Sequence, residues 1–291
     1  MTRTRATAIG FIAVLLWALL ALFTIGSAPV PPFLLNALTF TIGGTIGLIW
    51  VTATKGWPKL RSVPLRVYIF GTVGLFGYHA LYFSALRLAP PAEASLIAYL
   101  WPLFIVLFSG LLPGERIGPL HIIGALVAFV GAALIVAPGA EGFSNSIGLA
   151  LAGLCALTWS GYSVLSRKLG HMPTQTVAIF CVATAILSVP AHLALETTIW
   201  PEGMIGWTSV VALGLGPVGL AFYVWDLGVK AGDIQLLGVA SYAAPLLSTL
   251  VLIVVGVAEA SPTLILSAAL IAGGAGLAAL GSAVVQRRAQ R

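Results

Sequence analysis

The stretch SLIAYLWPLFIVLF, residues 95–108, is apolar enough to lie in a membrane, yet its centre reads Tyr99-Leu100-Trp101-Pro102. Proline interrupts a helix, and tyrosine and tryptophan bring polar atoms that hydrocarbon cannot satisfy. Outward from this stretch, similar apolar runs separated by short polar breaks extend from Ile9 almost to the C-terminus. Across the 291 residues 59% are hydrophobic and 8% charged, whereas a soluble domain carries about 25% charged residues. Mean hydropathy is +1.07. No soluble fold of this length hides so much apolar side chain, so the fold class is an all-α integral membrane protein. The strands of a membrane barrel are segments of about ten residues with alternating polarity, and these runs are longer and apolar all round.

Ten transmembrane helices are expected, at 7–26, 33–53, 66–88, 91–112, 117–137, 146–167, 174–195, 205–229, 233–257 and 262–284. Breaks such as SAPVPP, KGWPKLRSVP, PGERIGP, APGAEGFSN and RKLGHMP carry the turn chemistry that separates them. The first run has a basic start at Arg3 and Arg5, but it continues into further spans and lacks a clear small-residue cleavage site. Placing the 14 Lys and Arg on alternating sides puts all but Arg87 on one side. That side is expected to be cytoplasmic, with both termini on it. Glu141, Glu196, Glu202 and Glu259 fall in the opposite loops. The net charge of +6 therefore reports topology and contact with the lipid bilayer, not nucleic acid.

The chain also repeats itself. YLWPLF at 99–104 matches YAAPLL at 242–247; Trp17 and Pro31 match Trp159 and Pro173; Arg87 matches Lys230 and Glu115 matches Glu259. The offset stays between 142 and 144 residues throughout. Halves of five spans each, 1–140 and 141–291, must enter the membrane from opposite faces, which predicts two inverted repeats. Secondary transporters use that architecture, with the substrate site near the midplane between the repeats.

The last span of each half reads as a packing surface, with Gly124, Ala128 and Gly131 in one and Gly273, Gly274 and Gly276 in the other. Other spans carry polar aromatics well inside the membrane, away from the interfaces where such residues usually gather. Tyr78, His79 and Tyr82 share a helical face. With Trp17, Tyr99, Trp101, Trp159, Ser160, Tyr162, Ser163, Ser166, Tyr223, Trp225, Ser241, Tyr242, Ser248 and Thr249 they look like the wall of an amphipathic pocket, for which Trp17, Tyr78, His79, Tyr82, Tyr99, Trp101, Trp159, Ser163 and Tyr242 are the nine candidates to face the cavity; for any one of them, core packing with a single hydrogen bond is the alternative. Pro102 and Pro245, at equivalent repeat positions, free the carbonyls of Ala98 and Ser241, as a structural bend or as a hinge and backbone acceptor. Asp226 is the carboxylate furthest inside an apolar run, and Lys230 follows at i+4. An ion pair near the interface and a proton-coupling role are both open. Cys155 and Cys181 read as small packing residues. No HExxH, phosphate-binding loop or dinucleotide fingerprint occurs, so the chain is not expected to be an enzyme, and neither a cofactor nor a metal is implied.

Ten spans, two five-helix halves and these positioned prolines resemble the drug/metabolite transporter superfamily with its EamA-type repeats. MTRTRATAIGFIAVLLWALL, AYLWPLFIVLF and SYAAPLLSTL look like its bacterial aromatic amino-acid exporter branch, with a departure at Ala98, where that branch has asparagine. The resemblance implies an inner-membrane exporter of aromatic and other neutral amino acids, with aromatic walls for the side chain and hydroxyl, indole and imidazole donors for the carboxylate. Export of another small metabolite or a drug cation, or a non-transporting membrane subunit, are the alternatives. Oligomeric state is not legible.

Overall fold

The computed structural model describes residues 1–136 and 146–289, with side chains described as far as Val285. Glu141, the 140/141 boundary between the halves, Arg291 and the side chains of Arg287 and Arg288 lie outside the described residues. Ten helices long and apolar enough to cross a membrane occur among the described residues. They are α1 (Arg3–Gly26), α2 (Pro32–Ala53), α3 (Leu65–Leu88), α4 (Pro91–Ser109), α5 (Pro119–Val136), α6 (Ser146–Lys168), α7 (Thr176–Leu195), α8 (Gly203–Ala231), α9 (Ile234–Val254) and α10 (Pro262–Val285). Each matches an expected span to within a few residues. The first starts earlier than expected because the Thr2 hydroxyl caps it, accepting from the Arg5 N–H at 3.3 Å.

Five of the ten are interrupted. α1 turns at Ala18–Leu19, α4 at Tyr99–Leu100 and α9 at Ser241–Tyr242. In α4 and α9 the break falls before the proline, leaving Pro102 and Pro245 in the first turn of a new helical segment, where a missing N–H costs nothing. α3 and α8 each contain one π-helical turn, at Val73–Gly77 and Gly216–Leu220. A π-turn inserts one extra residue and leaves a backbone carbonyl outside the regular ladder. The two turns stand 143 residues apart, and GTVGLFG at 71–77 and GLGPVGL at 214–220 are their glycine-rich signatures.

Helix pairs include α2 with α7, α5 with α10, α1 with α8, α3 with α6, and α4 with α9, while α4 also packs on α6 and α2 on α8, whose exchanged counterparts α9–α1 and α7–α3 are in contact as well. Exchanging the two halves turns α1–α8 into α6–α3 and leaves α2–α7, α5–α10 and α4–α9 unchanged. Backbones meet at Gly124 and Gly274 in the α5–α10 pair, where a methyl group on either would strike the other's backbone. Gly131 lies against Ser267 and Ile271 of α10, while Gly273 and Gly276 face open space. The pair α2–α7 is tied at both ends. Glu196, just past α7, accepts from the N–H groups of Phe33 (3.0 Å) and Leu34 (3.2 Å) at the start of α2. Asn36 donates to Ser188 at 2.7 Å, and Gln175 donates to Thr54 at 2.7 Å at the far end. The carboxylate of Glu196 also holds Arg87 (2.8 Å) and His192 (2.9 Å).

The end of the molecule where α1 begins is closed by a polar network. Glu115 is paired with both Arg167 and Arg3. Arg3 also reaches Asp233 at 3.4 Å. Arg167 donates to the carbonyls of Val229 (2.9 Å) and Gly232 (2.8 Å), putting a cation at the negative end of α8. Asp233 caps α9 by accepting from Leu236 N–H at 2.9 Å, and its own N–H donates to the Thr7 hydroxyl at 2.8 Å.

Candidate functional site

A cavity of about 700 Å³ opens among the helices and narrows to an inner recess of about 140 Å³. Its mouth is formed by the ends of α1, α3, α5 and α9 and the start of α2, through Thr24, Pro32, Leu86, Ile135 and Leu252. Those termini lie at the end of the molecule opposite the Arg3–Glu115–Arg167 network. The volume falls in the range of small-molecule sites.

Seven of the nine expected wall residues line it: Trp17, Tyr78, His79, Tyr82, Tyr99, Trp101 and Trp159. Three tryptophans from three helices meet at its floor. Trp17 lies edge-on to Trp101 and to Trp159, with ring centroids 6.0 Å away in each case. Trp101 and Trp159 are likewise edge-on at 6.3 Å. Such edge-to-face contacts each add to burial energy by about 1 kcal/mol. The break at Ala18–Leu19 follows Trp17 directly, and the break at Tyr99–Leu100 precedes Trp101. Irregular backbone thus stands beside the rings that need room. Tyr78 and Tyr82 are stacked one turn apart on α3, with centroids 6.1 Å apart and planes within 8°.

The polar atoms divide into committed and uncommitted ones. The Trp17 indole N–H donates to the Pro217 carbonyl in the π-turn of α8, at 3.2 Å. Its repeat equivalent, the Trp159 indole, has no hydrogen-bond partner among the described residues, nor have the hydroxyls of Tyr78 and Tyr99. Tyr82 and Ser95 share a hydrogen bond of 3.2 Å. His79 Nδ1 stands 2.7 Å from the Leu75 carbonyl. No Asp, Glu, Lys or Arg side chain lines the cavity among the described residues.

Two expected wall residues sit elsewhere. Ser163 is fully buried and accepts from the Trp225 indole N–H at 3.0 Å, one layer behind the floor. Tyr242 is fully buried too; its hydroxyl accepts from the Leu103 N–H at 3.1 Å, an orphan donor created by the break in α4. Of the two prolines, Pro245 borders the wide cavity, and Pro102 is buried outside it. Asp226 and Lys230 form a buried ion pair at 2.8 Å, with Thr174 donating to Asp226 at 2.7 Å; neither residue reaches the cavity. Residues not anticipated from sequence complete the wall. Phe222, Val218 and Pro217 come from the π-turn region of α8, and Asn36 and Thr39 come from α2. The paired glycine-rich stretches and the asparagine inside a span were the available signals.

A protein-family model, the EamA-like transporter family, matches residues 4–137. The aromatic amino acid exporter YddG of Ancylobacter novellus is 53% identical over 284 residues, covering 96% of this chain and 99% of that protein. The chain belongs to the EamA-like transporter family. The aromatic amino acid exporter YddG of Salmonella typhimurium is 28% identical over 268 residues, 86% of this chain and 88% of that protein. A solved crystal structure of a protein 54% identical in sequence superimposes with a TM-score of 0.91, covering 96% of this chain and 99% of that one. An EamA-like transporter moves solutes and makes no covalent chemistry, so the aromatic cavity is its candidate solute site.

Proposed function

We propose that this chain exports aromatic and other neutral amino acids across the bacterial inner membrane. It works by alternating access through a cavity between two inverted five-helix repeats, 1–140 and 141–291, with both termini cytoplasmic. The observation that carries the reading is the cavity wall: aromatic faces, several uncommitted donors and no charged side chain among the described residues. A zwitterion with an apolar side chain suits that wall, with its ring against Trp17 and Trp101 and its carboxylate near the Trp159 indole and the Tyr78 and Tyr99 hydroxyls. An organic cation usually calls for a buried carboxylate, and Asp226 is engaged by Lys230 and Thr174. The pairing of helices, unchanged when the halves are exchanged, supports the inverted repeat. Thirteen of the 14 Lys and Arg fall on one side of the expected spans, which supports a cytoplasmic closed end and, in that reading, a conformation that opens outward.

The test is flux from proteoliposomes loaded with labelled phenylalanine, threonine or a cationic dye. Phenylalanine is expected to leave and the dye to stay. Movement of the dye alone favours a drug-cation exporter, and movement of nothing favours a non-transporting subunit.

A further inference from the structure

The imidazole of His79 meets the cavity wall in a fixed way. Its Nδ1 is 2.7 Å from the Leu75 carbonyl, four residues earlier and inside the π-turn of α3. A carbonyl oxygen only accepts, so Nδ1 is the protonated nitrogen. In a neutral imidazole the other nitrogen is then a bare acceptor. Nε2 has no partner among the described residues, and His79 borders both the recess and the wide cavity. The ring is packed edge-on against Phe40 (5.1 Å) and Tyr78 (5.1 Å) and lies beside Phe83 and Phe222. No carboxylate among the described residues lies against it to hold a second proton.

The second π-turn supplies an internal control. The residue 143 positions after His79 is Phe222, which follows the turn Gly216–Leu220 as His79 follows Val73–Gly77. Phe222 stacks on Phe40 with centroids 5.4 Å apart and planes within 17°. The same backbone device therefore forms with a phenyl ring in place of the imidazole. The turn itself does not require histidine, and the polarity at 79 is available for a ligand.

We infer that His79 Nε2 is the acceptor for the ammonium group of the transported amino acid. This rests on the amino-acid reading above and assigns orientation within it. The expected role of His79 as a carboxylate donor is replaced by the opposite one. The ammonium points to α3, and the apolar side chain lies across the floor toward Trp17, Trp101 and Phe222. The site then tests for an amino group, since an analogue without one leaves Nε2 facing hydrocarbon.

Two measurements on the full-length protein in liposomes test this. The first is nitrogen NMR of protein carrying labelled histidine, with the His79 signals identified by their loss in His79→Gln. A neutral ring protonated at Nδ1, whose Nε2 signal shifts on adding phenylalanine, is expected; a ring protonated at Nε2 overturns the inference. The second is competition against phenylalanine efflux by phenethylamine, which lacks the carboxylate, and 3-phenylpropionate, which lacks the amine. His79→Leu is expected to weaken phenylalanine and phenethylamine by about tenfold or more, the scale of a lost hydrogen bond to a charged group, and to leave 3-phenylpropionate unchanged. His79→Gln, whose amide oxygen can stand where Nε2 stood, is expected to recover most of the loss. Equal weakening of all three compounds, or weakening of 3-phenylpropionate alone, overturns the inference. Wild-type protein that moves no neutral amino acid overturns the proposed function and the inference with it. Wild-type efflux combined with an Nε2-protonated ring overturns the inference alone.

Discussion

The two ends of the bundle are built from different chemistry. At the closed end, four charged groups from four parts of the chain (Arg3, Glu115, Arg167 and Asp233) link α1, the α4–α5 loop, α6 and the α8–α9 junction. At the open end the cavity mouth is Thr24, Pro32, Leu86, Ile135 and Leu252, and among the described residues Arg87, next to Leu86, and Glu196 are spent on α2 and on each other. A closure made of directional ion pairs holds one geometry. Among the described residues a mouth made mostly of apolar side chains has little to pull it shut. The difference teaches that the conformation seen is held from the closed end.

Arg167→Ala should break that difference most strongly. It leaves the buried Glu115 with Arg3 alone and strips the carbonyls ending α8, at a cost of about 4 kcal/mol, read as a lower melting temperature in detergent. It should also admit reagent from the closed side. Cys155 and Cys181 are both buried, so a cysteine placed at Thr24 should react readily with a thiol probe and one at Val229 slowly. Arg167→Ala should erase that contrast.

Trp101→Ala acts at the floor between the two ends. It removes ring contacts with Trp17 and Trp159 worth about 3 kcal/mol, and phenylalanine flux should fall more than about tenfold while dye exclusion persists. Unchanged flux would remove the tryptophan floor from the solute site.

Asp226→Asn sharpens the comparison, because this pair sits toward the closed end yet outside the charged network described. It leaves Lys230 buried beside a neutral amide, costing about 3 kcal/mol, and Thr174 keeps a hydrogen-bond partner. Substrate preference should not move. Loss of all flux in well-folded protein would instead restore a coupling role for Asp226.

Tyr242→Phe is the smallest change. It strands the Leu103 N–H at the break in α4, for about 1 kcal/mol, with no effect on solute preference.

Much of this was legible in the sequence because hydrocarbon imposes simple rules. Ten apolar runs with turn chemistry between them could only be ten helices, and seven of nine expected wall residues came from one criterion, polar side chains, most of them aromatic, mid-span, although Tyr162, Tyr223 and Trp225 meet it too and are buried away from the cavity. The same criterion failed at Ser163 and Tyr242, and for one reason. A polar group in a membrane needs a partner, and neither the Trp225 indole nor the orphan Leu103 N–H can be paired with its acceptor from spacing along the chain. The π-turns escaped because an extra residue per turn leaves no mark on hydropathy. Glu196 read as a loop acid, since its partners Phe33 and Leu34 lie more than 160 residues earlier.

The ties along α2 and α7 have a mechanical consequence. Fastened at Glu196 to Phe33, at Asn36 to Ser188 and at Thr54 to Gln175, the two helices cannot shear past one another and would tilt as one rod. A helix of 22 residues is about 33 Å long. Pivoting such a rod by about 10° at one end would swing its far end by about 6 Å, on the scale of an amino-acid side chain. A small rotation at one membrane face is thereby a large aperture at the other.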